Sequence, residues 1–285
     1  MIITGKTKVL GVFGHPIAHS VSPAMHNAAI KALGLDYIYV PFHVLPELLE
    51  SAVTGTRALN ISGFNVTIPH KENVIKYLDD ISKTAERIRS VNTVVNKDNK
   101  LYGHSTDGEG FIRSLEASFG NIIGCKTAIL GAGGSARAVG YALADANCSI
   151  VFFNRTVKRA VELADELNNY YSRKVASALS LSDDLLSESL KDIDLIVNTT
   201  SVGMSPDNDG IPISPLFLGS DHMVYDLVYN PLQTRLVFEA LEKGARAANG
   251  LGMLVYQGAV AFEMWTGKPA PVDVMYAAAL KCFEK

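Results

Sequence analysis

The sequence predicts an α/β protein of two domains. The chain has 285 residues, which exceeds the usual size of a single domain. Both halves alternate short apolar runs typical of strands with stretches of helical spacing. In the second half, a glycine-rich turn joins one strand to one helix. We therefore expect a Rossmann-type doubly wound parallel sheet in the second half, and an α/β domain with a mainly parallel sheet in the first.

The predicted elements of the first half are short runs bounded by Gly and Pro. Its strands are rich in β-branched or aromatic residues, and its helices carry apolar residues at helical spacing. The predicted strands are KVLGVFG, DYIYVPFHV and ISGFNVTIP, and the predicted helices are SPAMHNAAIKALG and PELLESAVTGTRAL. For the first helix we expect Ser22 as the N-cap, Pro23 at the first helical position and Gly34 at the end. The segment NTVVNKDNKLYGHSTD predicts a hairpin around the turn NKDNK.

The second half repeats the alternation more regularly. Its strands are continuous apolar runs, as expected of parallel strands that are buried on both faces. These strands are KTAILGAG, SIVFFN, DLIVNTT and MVYDLVY, separated by helices such as SARAVGYALADA and VKRAVELADELNN. The domain boundary is expected near the helical stretch GEGFIRSLEASFG, before the first of these strands.

Composition favours a globular protein that binds a small molecule. Hydrophobic residues make up 48% of the chain, charged residues 19%, and the net charge is −3. Lys and Arg are dispersed, so no nucleic-acid partner is expected. The longest weakly polar stretch, GLGMLVYQGAVAFEMW, is too short to span a bilayer, and the N-terminal apolar run predicts a strand rather than a signal peptide. Cys125, Cys148 and Cys282 lack a C-x-x-C spacing, which favours a cytoplasmic protein without disulfides.

The turn GAGGSA, residues 131–136, predicts a dinucleotide site. It fits G-x-G-x-x-[G/A], a pattern that is weak alone because glycine-rich surface turns are common. Here it follows a strand and opens a helix. Gly131 can therefore make the tight turn, Gly133 can admit a pyrophosphate, and the helix N-terminus can bind it.

The end of the next strand predicts which dinucleotide is bound. A carboxylate that accepts from the ribose 2′-hydroxyl usually stands there, but this chain has Asn154, Arg155 and Thr156. Arg155 lies 24 residues after Gly131 and can bind a 2′-phosphate through two charge-assisted hydrogen bonds. Thr156 adds a hydroxyl, and Lys158 and Arg159 add charge. The predicted cofactor is therefore NADP rather than NAD, and an S-adenosylmethionine site, which would want an acid at this strand end, is disfavoured.

The first half must then hold the substrate. Its polar residues cluster in predicted loops: Ser20, Ser22, Asn65, Thr67, Lys71, Asn92 and Asp107. Each has an alternative interpretation as a turn or cap residue. Together they supply hydroxyls, amides, one amine and one carboxylate, which suit a polyhydroxylated acid.

Eight ordered motifs over nearly the whole chain resemble those of the shikimate dehydrogenase family. They are HSVSP, FNVTIPHK, SVNTV, STDG, GAGGSARA, NRT, NTTSVGM and NGLGMLVYQ. The resemblance implies NADPH-dependent reduction of 3-dehydroshikimate to shikimate, a step of aromatic amino acid biosynthesis. It also implies that the C-terminal segment returns to the substrate domain, with VDVMYAAALKCFEK as the last helix. The domains would then be 1–107 with 250–285 for the substrate, and 108–249 for NADP.

The resemblance also implies roles for individual residues. Ser20 and Ser22 would bind the substrate carboxylate, with Tyr229 nearby, and Lys71 paired with Asp107 would be catalytic. Four residues would surround the ring hydroxyls together with Asp107: Asn65, Thr67, Asn92 and Gln257. Ser105 stands where the family usually has Asn, while the following Asp is kept. The predicted cofactor contacts are Gly131, Ala132, Gly133, Gly134, Ser135, Ala136, Asn154, Arg155, Thr156, Arg159, Thr199, Leu227 and Gly250.

Three alternative interpretations of the sequence are a metal site, a broader dehydrogenase and a non-catalytic sensor. His15, His19, His26 and His70 have no carboxylate or cysteine at ligand spacing, so no metal is expected, and His70 is expected to pack a loop. A broader quinate/shikimate dehydrogenase is the near alternative. A non-catalytic sensor on the same fold would be expected to lose Lys71 or Asp107, and both are present. A monomer and a homodimer both stay open.

Overall fold

The computed structural model describes residues 2–284, and the chain folds as two compact units. Unit 1 comprises the residues up to Gly110 and those from Val255 onward, and unit 2 comprises Phe111–Leu254. Each unit contains a six-stranded sheet within the described residues. The predicted α/β class with two domains is confirmed.

Up to Gly110, the described residues of unit 1 form six strands and three α-helices that lie wholly within it. The strands are β1 (Lys8–Gly14), β2 (Tyr37–His43), β3 (Gly63–Val66), β4 (Asp80–Ile81), β5 (Thr93–Lys97) and β6 (Lys100–His104). The helices are α1 (Ser22–Ala32), α2 (Leu49–Ala58) and α3 (Lys83–Ile88). One turn of 3-10 helix, Pro46–Leu48, precedes α2, so the predicted helix PELLESAVTGTRAL is confirmed with an irregular first turn.

The sheet of unit 1 has the order β2-β1-β3-β5-β6-β4. Strands β1, β2 and β3 run parallel, whereas β5 is antiparallel to both β3 and β6. The predicted hairpin is β5–β6, whose turn residues Asp98 and Asn99 both have positive φ. Two residues with φ above zero define the turn type that suits strand twist, and Asn and Asp tolerate it best.

Helix α1 begins differently from the prediction. Ser22 is its first residue rather than its N-cap, Val21 occupies the cap position, and no side chain caps the helix. Pro23 is consequently the second residue of the helix rather than the first, and Gly34 follows the helix end with φ of 61° as predicted. The hydroxyl of Ser22 is therefore not used by the start of α1.

Helix α4 (Asp107–Phe119) leads into unit 2, which contains the remaining strands. These are β7 (Lys126–Leu130), β8 (Ser149–Asn154), β9 (Ala176–Ser180), β10 (Leu195–Asn198), β11 (Met223–Asp226) and β12 (Arg246–Ala248). The helices between them are α5 (Gly134–Asp145), α6 (Val157–Tyr171), α7 (Asp183–Ser189) and α8 (Arg235–Glu242). The four strands predicted from apolar runs are β7, β8, β10 and β11.

The sheet of unit 2 is parallel throughout, in the order β12-β11-β10-β7-β8-β9. The sequence order reverses between β7 and β10. In open parallel sheets, ligands bind beyond the carboxyl ends of the strands at such a reversal. The core on one face includes Leu130, Phe153, Ile196 and Val224, all fully buried.

The described residues after β12 form two α-helices, α9 (Leu251–Thr266) and α10 (Val272–Leu280). The predicted last helix corresponds to α10, which packs on α1 within unit 1. Helix α9 carries Gln257, and its sequence indicates only a weakly polar stretch. Among the described residues, none of the helices combines the length and apolar character needed to cross a membrane.

Candidate active site

The segment after β3 carries the predicted catalytic amine. In this segment, His70 directly precedes Lys71. His70 is 1% exposed, and its Nε2 lies 2.7 Å from the Val44 carbonyl oxygen. The backbone amide of His70 also donates to the Thr67 carbonyl. These contacts confirm His70 as a loop-packing residue, and they fix the point from which the Lys71 side chain leaves the backbone.

Lys71 and Asp107 form an ion pair. The Lys71 Nζ lies 2.6 Å from Asp107 Oδ2, with side chains 31% and 16% exposed. Asp107 is the first residue of α4, where the helix dipole stabilises a negative charge. Two residues 36 positions apart in sequence thus supply an amine and a carboxylate in hydrogen-bond contact.

Asn92 connects the carboxylate to the surrounding amides. Its Nδ2 donates to Asp107 Oδ1 at 2.9 Å and lies 3.2 Å from Gln257 Oε1. Its Oδ1 accepts from the backbone amide of Thr106 at 2.8 Å. Since a backbone N–H can only donate, this bond fixes which end of the Asn92 amide faces Asp107. Asn92, Asp107 and Gln257, predicted from distant motifs, lie together.

A glycine, Gly110, allows α9 and its Gln257 to approach the start of α4, where Asp107 lies. A Cβ at Gly110 would lie 2.4 Å from the backbone nitrogen of Gln257. The start of α4 and the middle of α9 therefore approach at a distance that only glycine allows. The second glycine of STDGEG thus has a steric function that the sequence alone does not indicate.

Asn65 is the most buried of the predicted substrate residues after Asn92, at 6% exposed. Its Nδ2 donates to the Asn92 carbonyl oxygen and to Thr93 Oγ1, both at 3.0 Å. Its Oδ1 accepts from the Tyr39 hydroxyl at 2.7 Å. Both amide protons are thus used inside the protein, and its predicted contact with ring hydroxyls stays a prediction.

The predicted carboxylate-binding serines lie in the segment after β1. The backbone amide of Ser22 donates to Ser20 Oγ at 3.4 Å, so the two residues are adjacent. Burial raises the pKa of Tyr39 well above its usual value, and a hydrogen bond with Ser22 acts in the opposite direction. Thr67, half-buried at the end of β3, packs its methyl group so close to Gly14 that a Cβ there would clash. Ser105, the departure from the family pattern, has a buried hydroxyl without a hydrogen-bond partner among the described residues.

The predicted pyrophosphate turn lies between β7 and α5 in unit 2. Gly131 has φ of 113°, which favours glycine, and its amide donates to the Phe153 carbonyl. A Cβ there would lie 2.7 Å from Thr199 Oγ1, whose hydroxyl donates to the Leu130 carbonyl. Gly133 and Gly134 are exposed and face open space, so a phosphate can approach their amides.

The predicted 2′-phosphate residues follow β8. This strand ends at Asn154, whose Nδ2 donates to the Thr156 carbonyl, and α6 begins at Val157. Arg155, Thr156 and Arg159 are all exposed. The pairing of Leu130 with Phe153 puts this strand end beside the glycine turn. A cationic group next to a backbone phosphate cradle fits NADP, which carries a second phosphate on its adenosine ribose.

Leu227, Tyr229 and Gly250 lie beyond β11. A Cβ at Gly250 would lie 2.0 Å from the Leu227 carbonyl oxygen, so these two predicted cofactor residues are in close backbone contact. The buried Asp226 anchors this segment by accepting from Thr234 at 2.6 Å and from Asn198 at 2.9 Å. Burial raises the pKa of Asp226 and of Tyr229. Asp226 is not among the predicted site residues, because a buried structural carboxylate leaves no local signal.

Unit 1 contains an amine paired with a carboxylate, and unit 2 contains a glycine turn beside a cationic strand end. These two features are typical of a nicotinamide-dependent oxidoreductase.

Within residues 2–284, no group of three or more potential metal ligands occurs. Three family models match the chain in order. They are described as shikimate dehydrogenase substrate binding domain (residues 12–94), shikimate/quinate 5-dehydrogenase (113–205) and shikimate 5′-dehydrogenase C-terminal domain (250–280).

Relatives match over nearly the whole chain. A curated protein of Methanopyrus kandleri, named shikimate dehydrogenase (NADP(+)), is 50% identical over 282 residues, covering 98% of this chain and 97% of its own. A crystal structure of a shikimate dehydrogenase in complex with NADP+ has a TM-score of 0.94 at 45% identity and covers 100% of this chain and 98% of that chain. The Listeria monocytogenes enzyme in complex with shikimate and NAD has a TM-score of 0.91 at 41% identity, covering 96% of both chains. The chain belongs to the shikimate dehydrogenase family and is an enzyme of the oxidoreductase class.

Proposed function

We propose that this chain catalyses the reversible NADPH-dependent reduction of 3-dehydroshikimate to shikimate. The observation that carries the proposal is the Lys71–Asp107 pair, with 2.6 Å between Nζ and Oδ2. The curated relatives named shikimate dehydrogenase (NADP(+)), at 45–50% identity, support this substrate and this cofactor. A sensor on the same fold would have no need of an amine held by a carboxylate.

In this proposal unit 1 binds the substrate. Ser20 and Ser22 donate to its carboxylate, and Thr67, Asn92 and Gln257 contact the ring hydroxyls together with Asn65 and Asp107. The family resemblance assigns Tyr229 to the neighbourhood of the carboxylate as well. The adjacency of Ser20 and Ser22 and the hydrogen bonds that join Asn92 to Asp107 support two such groups of contacts.

Lys71 supplies the proton. When bound, NADPH would supply the hydride to the ketone carbon, and the electron pair of the carbonyl π bond would move to the oxygen. Negative charge on that oxygen is stabilised by the Lys71 ammonium, which transfers one Nζ proton to it and is left as a neutral amine. Asp107 holds the ammonium in position through the 2.6 Å contact between Oδ2 and Nζ. In the oxidation of shikimate, the neutral amine takes the hydroxyl proton instead.

Unit 2 selects the cofactor. The backbone amides of residues 131–136 bind the pyrophosphate. The 2′-phosphate is bound by Arg155, together with Thr156 and Arg159. The exposure of these three side chains beside the glycine turn supports this assignment. Thr199 and Leu227 directly follow β10 and β11, and Gly250 lies just after β12 in the same unit. We propose that these three residues contact the nicotinamide side of the cofactor.

A four-way assay tests the proposal. Shikimate and quinate are each supplied with NADP+ and with NAD+, and the reaction is followed at the nicotinamide absorbance. We expect turnover with shikimate and NADP+ to exceed the other three combinations. Equal turnover of quinate would identify the broader quinate/shikimate dehydrogenase, and no turnover of either acid would refute the assignment.

We also propose a cytoplasmic location. Cys125, Cys148 and Cys282 are all free thiols, which is typical of proteins in a reducing compartment. Localisation of the tagged chain by cell fractionation would test this.

A further inference from the structure

Tyr39 is a fully buried residue held by contacts of both its ring and its backbone. Its ring stacks on His26, with ring centroids 4.3 Å apart and planes 10° from parallel. Its backbone amide and carbonyl, on the edge strand β2, pair with the side chain of Asn27 at 3.0 and 2.7 Å. The hydroxyl therefore has little freedom to choose its partner.

The Tyr39 hydroxyl sets the direction of a hydrogen-bond chain. It donates to Asn65 Oδ1 at 2.7 Å. The two protons of Asn65 Nδ2 then go to the Asn92 carbonyl, which can only accept, and to Thr93 Oγ1. Since the Thr93 oxygen receives that proton, its own hydroxyl proton is free to be donated onward.

The onward step leads to the catalytic pair. The Thr93 hydroxyl lies 3.2 Å from Asn92 Oδ1, which accepts its proton. Asn92 Nδ2 donates to Asp107 Oδ1, while Lys71 donates to the other carboxylate oxygen. Every link donates towards Asp107, and hydrogen bonds that point in one direction polarise and strengthen each other.

We propose that Tyr39 is a positioning residue for the reaction, acting through Asn65, Thr93 and Asn92 to hold Asp107 and thereby Lys71. This inference rests on the proposed function of the Lys71–Asp107 pair. Tyr39 does not touch Lys71 or Asp107 directly, and its hydroxyl oxygen also accepts a hydrogen bond from Ser22. It thus joins the predicted carboxylate-binding and ring-binding residues within unit 1.

The chemical reason for an effect on catalysis is the burial of the chain. Asn65, Asn92 and Thr93 are each at most 6% exposed, so water has little access to replace a lost donor. Without the Tyr39 hydroxyl, Asn65 Oδ1 loses its hydrogen-bond donor. We expect the Asn65 side-chain amide to shift towards another donor. A displacement of well under about 1 Å at Asp107 is enough to slow a proton transfer that depends on alignment.

The test is the variant Tyr39→Phe, which keeps the ring that stacks on His26. Tyr37→Phe is the matched control, because Tyr37 lies on the same strand and its hydroxyl contacts only the exposed Lys8 Nζ at 3.5 Å among the side-chain hydrogen bonds of the described residues. We expect Tyr39→Phe to lower kcat for shikimate oxidation about five- to fiftyfold. The KM for shikimate should change less than kcat, and the Kd for NADP+ should stay at the wild-type value. An unchanged kcat, or a loss confined to KM, would overturn the inference.

A double-mutant cycle with Thr93→Val tests whether Tyr39 and Thr93 act through one hydrogen-bond chain or whether each substitution lowers kcat independently. If Tyr39 and Thr93 act through one chain, the double variant should lose about as much kcat as the worse single variant. Losses that multiply would mean independent effects and would overturn the inference. Inactivity of the wild-type enzyme towards shikimate would instead refute the proposed function, so the two failures are distinguishable.

Discussion

The predicted chemical residues of unit 1 and the predicted cofactor residues of unit 2 are held in opposite ways. Lys71, Asp107 and Asn92 are joined by side-chain hydrogen bonds that continue into the buried interior. Arg155 and Thr156 are exposed beside a backbone turn. Unit 1 is therefore preorganised by buried polar contacts, whereas unit 2 offers backbone amides and exposed cations. We expect substitutions in unit 1 to affect kcat and stability, and substitutions at the cofactor strand end to affect affinity.

The first prediction concerns the buried interior of unit 1, whose stability should fall as the pH is lowered. Burial lowers the pKa of His26 to about 3, from its usual value of 6.5. Between these pH values the unfolded chain binds a proton at His26 that the folded chain does not. The free energy of unfolding should therefore fall as pH decreases, by about 1.4 kcal/mol per pH unit from this residue, with no contribution well above pH 6.5.

The comparison of wild type with His26→Phe isolates this effect, because Phe keeps the stack on Tyr39 and cannot be protonated. Urea unfolding at about pH 7 and about pH 5 should show the wild type losing roughly 2 kcal/mol more than the variant. His19→Phe, at an exposed histidine, serves as the control and should follow the wild type. Identical pH dependence in the wild type and His26→Phe would contradict the assignment of a neutral buried histidine.

At the cofactor strand end, Arg155→Ala should weaken NADP+ binding by about ten- to a hundredfold. The loss corresponds to one charge-assisted pair of roughly 1.5–3 kcal/mol. Binding of NAD+, which lacks the 2′-phosphate, should change little, and kcat at saturating NADP+ should stay near the wild-type value. Calorimetric titration of both cofactors measures this, with Arg173→Ala as the control arginine in the same unit. Equal losses with NADP+ and NAD+ would identify Arg155 as a structural residue.

The close approach of α4 and α9 gives a smaller effect. Gly110→Ala introduces a Cβ 2.4 Å from the Gln257 backbone nitrogen, so we expect a loss of about 1–3 kcal/mol in the free energy of unfolding. The KM for shikimate should rise, because Gln257 is displaced. Gly55→Ala is the control, since Gly55 lies inside α2 with nothing within 4 Å of an added Cβ, and it should stabilise the protein by up to about 1 kcal/mol. Similar stability of the two alanine variants would refute the steric function of Gly110.

Periodicity predicted most of the fold because the strands of both sheets are short apolar runs separated by amphipathic helices. Several short elements were not predicted, among them β4, β12, α3, α7 and α8, and two further elements show why. Strand β9 at the sheet edge is the Ser-rich run ASALS, which lacks a continuous apolar pattern. Helix α9 is apolar on nearly all sides, so its sequence has no polar face that would reveal a helical period.

The motif residues of the site were predictable, but the residues that hold them were not. Lys71, Asp107, Asn92 and Gln257 were identified from ordered motifs, and the structure brings these four together. Tyr39 contacts Asn65 across 26 positions of sequence, and a buried tyrosine in a strand gives no local sign of such a contact. Supporting contacts of this kind depend on sheet register, which short sequence patterns do not specify.

The central claim is that Lys71 performs the proton transfer while Arg155 acts only on cofactor affinity. Single-turnover oxidation of shikimate at saturating NADP+, followed at the nicotinamide absorbance, tests it most directly. We predict that Lys71→Met slows this turnover by about 10²–10⁴-fold, the range for loss of a positioned acid or base, and that Lys76→Met and Arg155→Ala keep the wild-type rate. A Lys71→Met variant that turns over at the wild-type rate, with hydride transfer shown to be rate-limiting by isotopic substitution, would contradict the account.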